Sequence, residues 1–319
     1  MPVWPARGNH EERGVQHRNV FRLPGNAWWY SFDYGDAHFV CLDSTIWRWE
    51  DAKRLTAEML RWCENDLARS TALWKIVFCH EPPYDIAEMH CNWGRDTVLP
   101  ILRKHGVDLV MSGHSHTYQR FRPMYWPGQN DRHPITFIVS GGAGGGRTEP
   151  ERAEPHVAAS SSKMHFMLYA IDGQTLTGRA LRPDGTELDR FTIAKQAGRP
   201  GPAFLAQAVS EEAFSHLERS VRRVHWSAAL DGPEPAMVRL TLRGGSRPVK
   251  FRFAISEAGS KDFALTAPVH GTVPANQAVA VTVSVKPLRA IGKHRPDLIL
   301  EYEADGLNGM MSCGPDRDD

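Results

Sequence analysis

Two apolar runs, each followed closely by a histidine, constrain the fold of this chain more than any other feature. Leu73 to Phe78 forms the first run and leads to His80, and Val107 to Met111 forms the second and leads to His114. Continuous apolar runs of this length are typical of strands buried on both faces of a parallel sheet. Since α/β sheets place their sites at the carboxyl ends of the strands, both histidines are predicted at one edge of a sheet.

Helical patterns separate the predicted strands. Apolar residues recur at roughly helical spacing from Ala52 to Ala68, and a second helix is predicted from Thr97 to His105, with Gly106 as its stop signal. Upstream, Trp29 to Phe32 and Phe39 to Leu42 flank a Gly-Asp turn signal and are predicted to form a hairpin. The order of strand, helix, strand, helix and strand predicts an α/β domain.

The rest of the chain carries patterns of short strands. A composition typical of linkers occurs at 196–202, and a helix is expected between Ala203 and Trp226. Further on, the valines from Val279 to Val285 alternate with small or polar residues, as expected for a strand with one buried face. We therefore predict an α/β domain at 1–195 and a small all-β, immunoglobulin-like sandwich at 203–319. The remaining predicted strands are at 136–140, 164–171, 176–181, 190–193, 237–242, 249–255 and 298–302.

The composition excludes several classes of protein. Hydrophobic residues make up 41% of the chain and charged residues 24%, which is typical of an ordinary globular protein. The formal net charge of +1 gives no electrostatic basis for a nucleic-acid or membrane partner. The start of the sequence lacks the apolar core of a signal peptide, so the cellular location stays open. The five cysteines form no CxxC pair, and Cys41 and Cys79 lie in apolar runs where buried side chains are expected.

Three polar segments carry candidate metal ligands. They are Gly8-Asn9-His10-Glu11, His80, and Gly113-His114-Ser115-His116. Neutral imidazole is a good ligand for zinc, iron and other late transition metals, and two histidines separated by one residue on a turn can point toward two cations. The alternatives are an ordinary polar loop for the histidine pair and a hydrogen-bonded structural role for His80.

The segment around Asn9 is the most specific of the three. An asparagine side-chain oxygen is an uncommon ligand that adds no charge, and His10 beside it could protonate a leaving alkoxide or stabilise charge on phosphate. Gly8 permits a close approach of the backbone, and Glu11 could orient His10. The alternative is the capped start of a helix, a role that asparagine and glutamate also suit.

Taken together and in this order, these segments resemble the metallophosphoesterase (calcineurin-like phosphoesterase) superfamily, and most closely its purple acid phosphatase branch. The similarity extends over about residues 2–195. It includes the predicted hairpin, the strand leading into His80 and Pro82-Pro83-Tyr84, the run from Val107 to Arg120, and the glycine-rich segment from Ser140 to Gly145. The resemblance implies a metallophosphoesterase-type β-sandwich flanked by helices.

The resemblance also implies roles for individual residues. Asn9, His80 and His114 would bind one metal ion of a dinuclear centre, and His116 would bind the other. His10 would contact phosphate and act as general acid. The implied reaction is hydrolysis of a phosphate ester by a metal-activated hydroxide, and the branch pairs ferric iron with zinc, manganese or iron.

Three functions are compatible with these motifs. The main hypothesis is a phosphomonoesterase. One alternative is a phosphodiesterase or nucleotide pyrophosphatase of the same superfamily, and another is a non-catalytic binding protein that contacts a partner through residues 203–319. Arg7, Arg13, His90 and Arg147 could touch a substrate, although a solvated surface position is the simpler interpretation of each.

The sequence also departs from the family pattern. The family needs an Asp-x-His and a Gly-Asp-x-x-Tyr or Gly-Asp-x-x-Asp motif ahead of Asn9, where this chain has eight residues and none is acidic. We therefore expect the first strands of the domain and the bridging carboxylate to be missing, so that at most one metal binds weakly and the activity of the chain as given stays open. Asp36-Ala37-His38 also spells Asp-x-His, but it lies at the predicted turn and is interpreted as having no metal role.

Overall fold

The computed structural model forms two compact units. The first consists of Met1–Pro150 and Val157–Val209, and the second of Glu151–His156 and Ser210–Asp319. Each unit is described by itself. The structure describes residues 2–11, 15–46, 50–87, 91–126, 133–146, 152–153, 156–211, 217–218, 225–226, 236–244, 248–255, 263–267, 270–287, 298–304 and 307–312.

The first unit mixes helices and strands. Among its described residues, a 3-10 helix at Asn9–Glu11 precedes the α-helices α1 (Val15–Val20), α2 (Ala52–Arg69), α3 (Leu99–Lys104) and α4 (Pro202–Leu205). The strands up to residue 210 are β1 (Tyr30–Tyr34), β2 (Ala37–Cys41), β3 (Trp74–Phe78), β4 (Leu109–Ser112), β5 (Tyr118–Phe121), β6 (Met124–Tyr125), β7 (Thr136–Ser140), β8 (Arg152–Ala153), β9 (Val157–Ser161), β10 (Phe166–Asp172), β11 (Thr175–Leu181), β12 (Glu187–Gln196), β13 (Arg199–Pro200) and β14 (Val209–Ser210). Of these strands, β8 belongs to the second unit.

A seven-stranded sheet with the order β1-β2-β3-β4-β7-β5-β9 forms the centre of the first unit. Strands β2, β3, β4 and β7 run parallel, whereas β1, β5 and β9 are antiparallel to their neighbours. The segments that follow the parallel strands therefore lie at one edge of the sheet. These segments include Asp43, His80 and Gly113, as the two apolar runs predict.

A second sheet, β10-β11-β12-β13, shares one hydrophobic core with the first. Trp74 and Ile76 of β3 are buried there with Leu176 and Ile193 of the second sheet. The indole N–H of Trp74 donates a hydrogen bond to the carbonyl of Gly173 at 2.8 Å, so the polar end of this side chain is satisfied. Burial of each large apolar side chain contributes about 1.5–3 kcal/mol.

The local elements mostly follow the sequence patterns. Helix α2 buries Met59, Cys63 and Leu67, which are spaced by four residues and form one apolar face. The predicted hairpin forms, with Gly35 at a φ of 58° in its turn. The helix expected at 97–105 is confirmed but is shorter than expected.

The segment from 196 to 226 differs from the expectation. Gln196 of β12 pairs with Arg199 of β13, so the stretch with linker composition is a tight turn inside the first unit. The helix described in this range is α4, which buries Phe204, and the described residues farther on include short strands at Val209–Ser210, Leu217–Glu218 and His225–Trp226. A helix expected between Ala203 and Trp226 is thus present as this short segment, and residues 212–216 and 219–224 lie outside the described part of the chain.

The second unit is built from strands within its described residues. One sheet has the order β15-β17-β21-β19 with β16 paired to β17, and the other has the order β20-β18-β22-β23-β8. All of the pairs recorded for these strands are antiparallel. The strands are β15 (Leu217–Glu218), β16 (His225–Trp226), β17 (Ala236–Gly244), β18 (Val249–Ile255), β19 (Phe263–Ala267), β20 (His270–Val273), β21 (Ala278–Pro287), β22 (Leu298–Ala304) and β23 (Leu307–Ser312).

The two sheets of this unit bury a common core. Val281, Val283 and Val285 of β21 meet Phe253 and Leu300 of the other sheet, which confirms the alternation read from the sequence. Two facing antiparallel sheets are common to many all-β folds, so the immunoglobulin-like arrangement stays a prediction. Within the residues described in both units, no helix is long and apolar enough to cross a membrane.

Candidate metal centre

Three side-chain atoms from distant parts of the sequence meet at the carboxyl edge of the seven-stranded sheet. His80 Nε2 lies 2.7 Å from Asn9 Oδ1 and 3.0 Å from His114 Nδ1. The Asn9 and His114 atoms are 3.2 Å apart. The structure therefore brings together the three residues to which the family resemblance gives a shared metal ion.

The chemistry of these three atoms fits a cation. An amide oxygen only accepts hydrogen bonds, and each neutral imidazole carries a single ring proton, so the cluster concentrates lone pairs. For ligand bonds of about 2.1 Å, adjacent donor atoms of an octahedral site are about 3.0 Å apart, which is close to the spacing seen here. No group of three or more His, Cys, Asp and Glu side chains in the described ranges could hold a metal, and the third donor here is an amide.

The protonation state of His80 also suits a ligand. Burial and, to a smaller extent, the neighbouring His114 together lower the pKa of His80 to about 4. His80 is therefore neutral at pH 7, which is the form that coordinates metals.

A buried ion pair fixes the segment that carries Asn9. Arg7 donates through Nε and Nη2 to Asp43 Oδ2 at 3.0 and 2.6 Å, and both side chains are almost fully excluded from solvent. The other oxygen of Asp43 accepts hydrogen bonds from the backbone and hydroxyl of Thr45 at 2.9 and 2.8 Å. Because Asp43 follows β2, the pair ties the Asn9 segment to the edge of the sheet.

This ion pair corrects the sequence interpretation of Arg7. Arg7 was expected at the surface or in contact with a substrate, and it is instead a buried structural cation. Sequence reasoning missed it because a single arginine gives no signal of burial without its distant partner. Arg13, His90 and Arg147 lie outside the described residues.

Gly8 and Glu11 complete the local structure around Asn9. A Cβ atom on Gly8 would lie 2.8 Å from the ring of His80, so only glycine allows the backbone to approach this closely. Glu11 accepts a hydrogen bond from the Gly8 N–H at 2.5 Å and thereby caps the 3-10 helix, rather than serving the expected role of orienting His10. His10 is exposed on this helix, and its charge helps to lower the pKa of His80.

His114 sits in a strained turn. Its φ is 67°, and the N–H of Ser115 donates to the carbonyl of Gly113 at 2.8 Å. A hydrogen bond between residues two apart around a positive φ is the pattern of a γ-turn of the rare type. The left-handed region costs a side-chain-bearing residue about 1–2 kcal/mol, and such strain is concentrated at functional sites.

His116 makes a different contact. Its Nδ1 donates to the carbonyl of Gly146 at 2.5 Å, and because a carbonyl can only accept, the lone pair of the neutral ring is on Nε2. Gly145 lies so close that a Cβ there would be 2.3 Å from the His116 ring. The glycine-rich loop after β7 thus fixes the orientation of His116, which is half-buried and not one of the three converging residues.

A buried carboxylate below the turn was missed in the sequence. Asp85 is fully buried and accepts a hydrogen bond from the hydroxyl of Ser115 at 2.7 Å. No sequence signal marks this contact, since an aspartate shortly after two prolines is equally typical of an exposed loop.

His38 of the Asp-x-His sequence lies in a different environment. Its ring nitrogens are 2.7 Å from Asp33 and 2.9 Å from Asp66, so it joins the hairpin to helix α2. The hydrogen bond to Asp66 is the main cause that raises the pKa of His38, and Asp33 adds to it. Both ring nitrogens are engaged by carboxylates, which agrees with an absence of a metal role.

The chain is similar in sequence to a family model and to several known proteins. Residues 1–118 match the family model for calcineurin-like phosphoesterases. The chain is 28% identical over 251 residues to an acid phosphatase of Aspergillus ficuum, covering 56% of this chain and 40% of that protein. It is 29% identical over 177 residues to acid phosphatase type 7 of Homo sapiens, covering 45% of this chain and 40% of that protein.

A solved structure shows the same fold. A purple acid phosphatase from seeds of yellow lupin (Lupinus luteus) superposes with a TM-score of 0.51 at 23% identity, covering 60% of this chain and 37% of that chain. The chain spans about two fifths of the length of the relatives it matches. Residues 1–118 thus match a calcineurin-like phosphoesterase domain, and the proteins to which the chain is similar are acid phosphatases and purple acid phosphatases.

Proposed function

We propose that the protein is a metal-dependent phosphomonoesterase whose centre is built on Asn9, His80 and His114. The observation that carries this proposal is the convergence of their three donor atoms within 3.2 Å of one another. The match to the phosphoesterase family model and the acid phosphatase relatives support hydrolysis of phosphate esters at a general level.

Each residue has a role that its position supports. Asn9, His80 and His114 hold one cation, and His116 offers Nε2 to a second. A bound transition metal, for which iron with zinc, manganese or iron is the proposed pair, would supply Lewis-acid chemistry by polarising the phosphate and acidifying a water. The low pKa of His80 keeps its ring in the neutral form at pH 7, and the hydrogen bond from His116 Nδ1 leaves the Nε2 lone pair of that ring available.

His10 is proposed to contact the phosphate and to act as the general acid. It is exposed next to Asn9 on the same short helix, so a substrate at the metal centre could reach its ring. In the protonated form it would donate a proton to the oxygen of the leaving alcohol and would place a positive charge beside the phosphate.

The experiment has a metal arm and an activity arm. In the first, zinc binding to the 319-residue chain is compared with that of His80→Ala and of His38→Ala, a matched control with a buried histidine outside the cluster. Selective loss in His80→Ala supports the centre, and equal affinities in all three proteins would remove it. In the second, the protein is loaded with zinc, manganese or iron and tested on aryl phosphate mono- and diesters.

The activity arm separates the possible reactions. Faster hydrolysis of the monoester supports the phosphomonoesterase proposal, and faster hydrolysis of the diester would replace it with a phosphodiesterase. If neither ester is hydrolysed, the catalytic proposal is rejected while the metal site is judged on the first arm alone.

A further inference from the structure

We infer that Asp85 is a positioning residue that holds the turn carrying His114 and His116 in its metal-binding shape, acting through Ser115. This inference rests on the proposed metal centre. Asp85 lies in the segment after β3, whereas the turn follows β4, so the contact links the ends of two neighbouring parallel strands.

Hydrogen bonds account for both oxygens of Asp85. Oδ2 accepts from the hydroxyl of Ser115 at 2.7 Å and from the N–H of Cys91 at 3.3 Å. Oδ1 accepts from Gln119 Nε2 at 2.7 Å and from the N–H of Ala87 at 3.0 Å. A carboxylate has about four lone-pair positions, and these donors engage both of its oxygens. Asp85 is therefore suited to hold neighbours in place rather than to bind a cation itself.

Through Ser115, the carboxylate of Asp85 can hold both His114 and His116 in position. Ser115 lies between His114 and His116, and it is fully buried like Asp85. Its N–H closes the strained turn at His114, and its carbonyl accepts from the N–H of Thr117 at 2.8 Å. A hydroxyl that donates to an ionised acceptor forms a stronger hydrogen bond than a neutral pair does, so this side chain is a firm anchor for the turn.

Gln119 adds a second attachment. Its Nε2 donates to Thr117 Oγ1 at 2.8 Å as well as to Asp85, and its Oε1 accepts from the N–H of Ile86 at 3.0 Å. The carboxylate thus holds the turn at its middle through Ser115 and near its end through Gln119. Since His114 has a positive φ, the unsupported turn would relax toward a more favourable backbone conformation and move the Nδ1 atom of His114 away from Asn9.

The test compares Ser115→Ala and Asp85→Asn with matched controls elsewhere in the first unit. Ser31 donates its hydroxyl to Asp66 at 3.1 Å, so Ser31→Ala and Asp66→Asn remove a similar contact far from the turn. Zinc affinity of the full chain is measured by competition with a chelator. We expect Ser115→Ala and Asp85→Asn to weaken zinc binding about 10- to 100-fold, as the loss of groups that orient ligands does, and the controls to leave it unchanged.

The double variant tests the route of the effect. If Asp85 acts through Ser115, the loss in Ser115→Ala/Asp85→Asn is close to that of the larger single variant, because both remove the same hydrogen bond. Fully additive losses would overturn the inference. Should Asp85→Asn fail to fold, Ser115→Ala alone still decides, because it changes a single small side chain.

Amide hydrogen exchange supplies a readout that needs no metal. The N–H groups of Ser115 and Thr117 are expected to exchange at least about tenfold faster in Ser115→Ala and Asp85→Asn, while amides of the central strands keep their protection. Unchanged exchange at the turn would overturn the positioning role even if zinc did not bind. Faster exchange with unchanged zinc affinity would overturn the link to the ligands, and zinc binding that is insensitive to His80→Ala would instead reject the proposed centre.

Discussion

Asn9 Oδ1 and His80 Nε2 lie 2.7 Å apart although 71 residues separate them in the chain. Neither residue gains this contact from a local turn. It depends on the buried pair of Arg7 and Asp43 on one side and on the parallel strand β3 on the other. The contact is therefore a sensitive measure of whether the carboxyl edge of the sheet is correctly assembled.

The number of bound metal ions is the first prediction. We expect the 319-residue chain to bind at most one equivalent of zinc tightly. Three described residues can share one cation, whereas His116 is the single ligand proposed for another, and two dications held close together repel strongly. Metal analysis after gel filtration measures this number. Two tightly held equivalents would show that our assignment of ligands is incomplete.

Substitution of Gly8 is the second prediction. In Gly8→Ala the new Cβ would press on the ring of His80, so we expect a loss of about 1–3 kcal/mol in unfolding free energy together with weaker zinc binding. Gly144→Ala is the control, because a Cβ there meets nothing within 4 Å and needs no positive φ. Denaturant unfolding and zinc titration measure the two effects. Equal behaviour of the two variants would contradict the close approach of Gly8 to His80.

The third prediction concerns the buried ion pair. Asp43→Ala removes the carboxylate that binds the Arg7 cation in a site excluded from solvent, so we expect a loss of about 3–5 kcal/mol in unfolding free energy. The exposed pair of Arg54 and Asp51 is the control, and Asp51→Ala should change stability little because water and salt screen it. Urea unfolding of both variants provides the measurement, and a mild effect of Asp43→Ala would argue against a buried charge at Arg7.

The fourth prediction is a pH dependence of stability caused by His38. Hydrogen bonds to Asp66 and Asp33 raise the pKa of His38 in the folded state above its ordinary value of 6.5. A histidine with a raised pKa stabilises the fold fully below about pH 6.5, and that contribution is lost as the pH rises through the folded-state value. We therefore expect the stability difference between the parent chain and His38→Gln to shrink on going from pH 6 to alkaline pH.

Thermal unfolding at a series of pH values measures this difference. Asp66→Asn removes the main cause of the raised pKa and should flatten the profile in the same way. A difference that grows with rising pH would mean that His38 is held neutral in the folded protein.

The sequence predicted where the candidate site lies, but it did not predict the buried contacts that hold the site in place. The two apolar runs placed His80 and His114 at one edge because buried parallel strands have a recognisable composition and a fixed direction. The pairings of Arg7 with Asp43 and of Asp85 with Ser115 could not be predicted. Burial of a charged group depends on a partner that is distant in sequence, and no local sequence pattern indicates which residue that partner is.

Backbone conformation set a second limit on prediction. Nothing in the sequence around His114 indicates a positive φ, which glycine adopts easily and histidine rarely. Composition also misled at 196–202, where glycine and proline form a tight turn instead of a linker. Both residues favour any abrupt change of chain direction, and packing decides which kind of change occurs.

The separation of the three donor atoms along the chain has a thermodynamic consequence. Since Asn9, His80 and His114 come together only after the sheet has formed, the denatured chain offers an ion no comparable site. Each occupied site then adds to the folding equilibrium by mass action, about 2.7 kcal/mol when the free ion is at 100 times its dissociation constant. The melting temperature of this protein would thus report the free concentration of the ion around it.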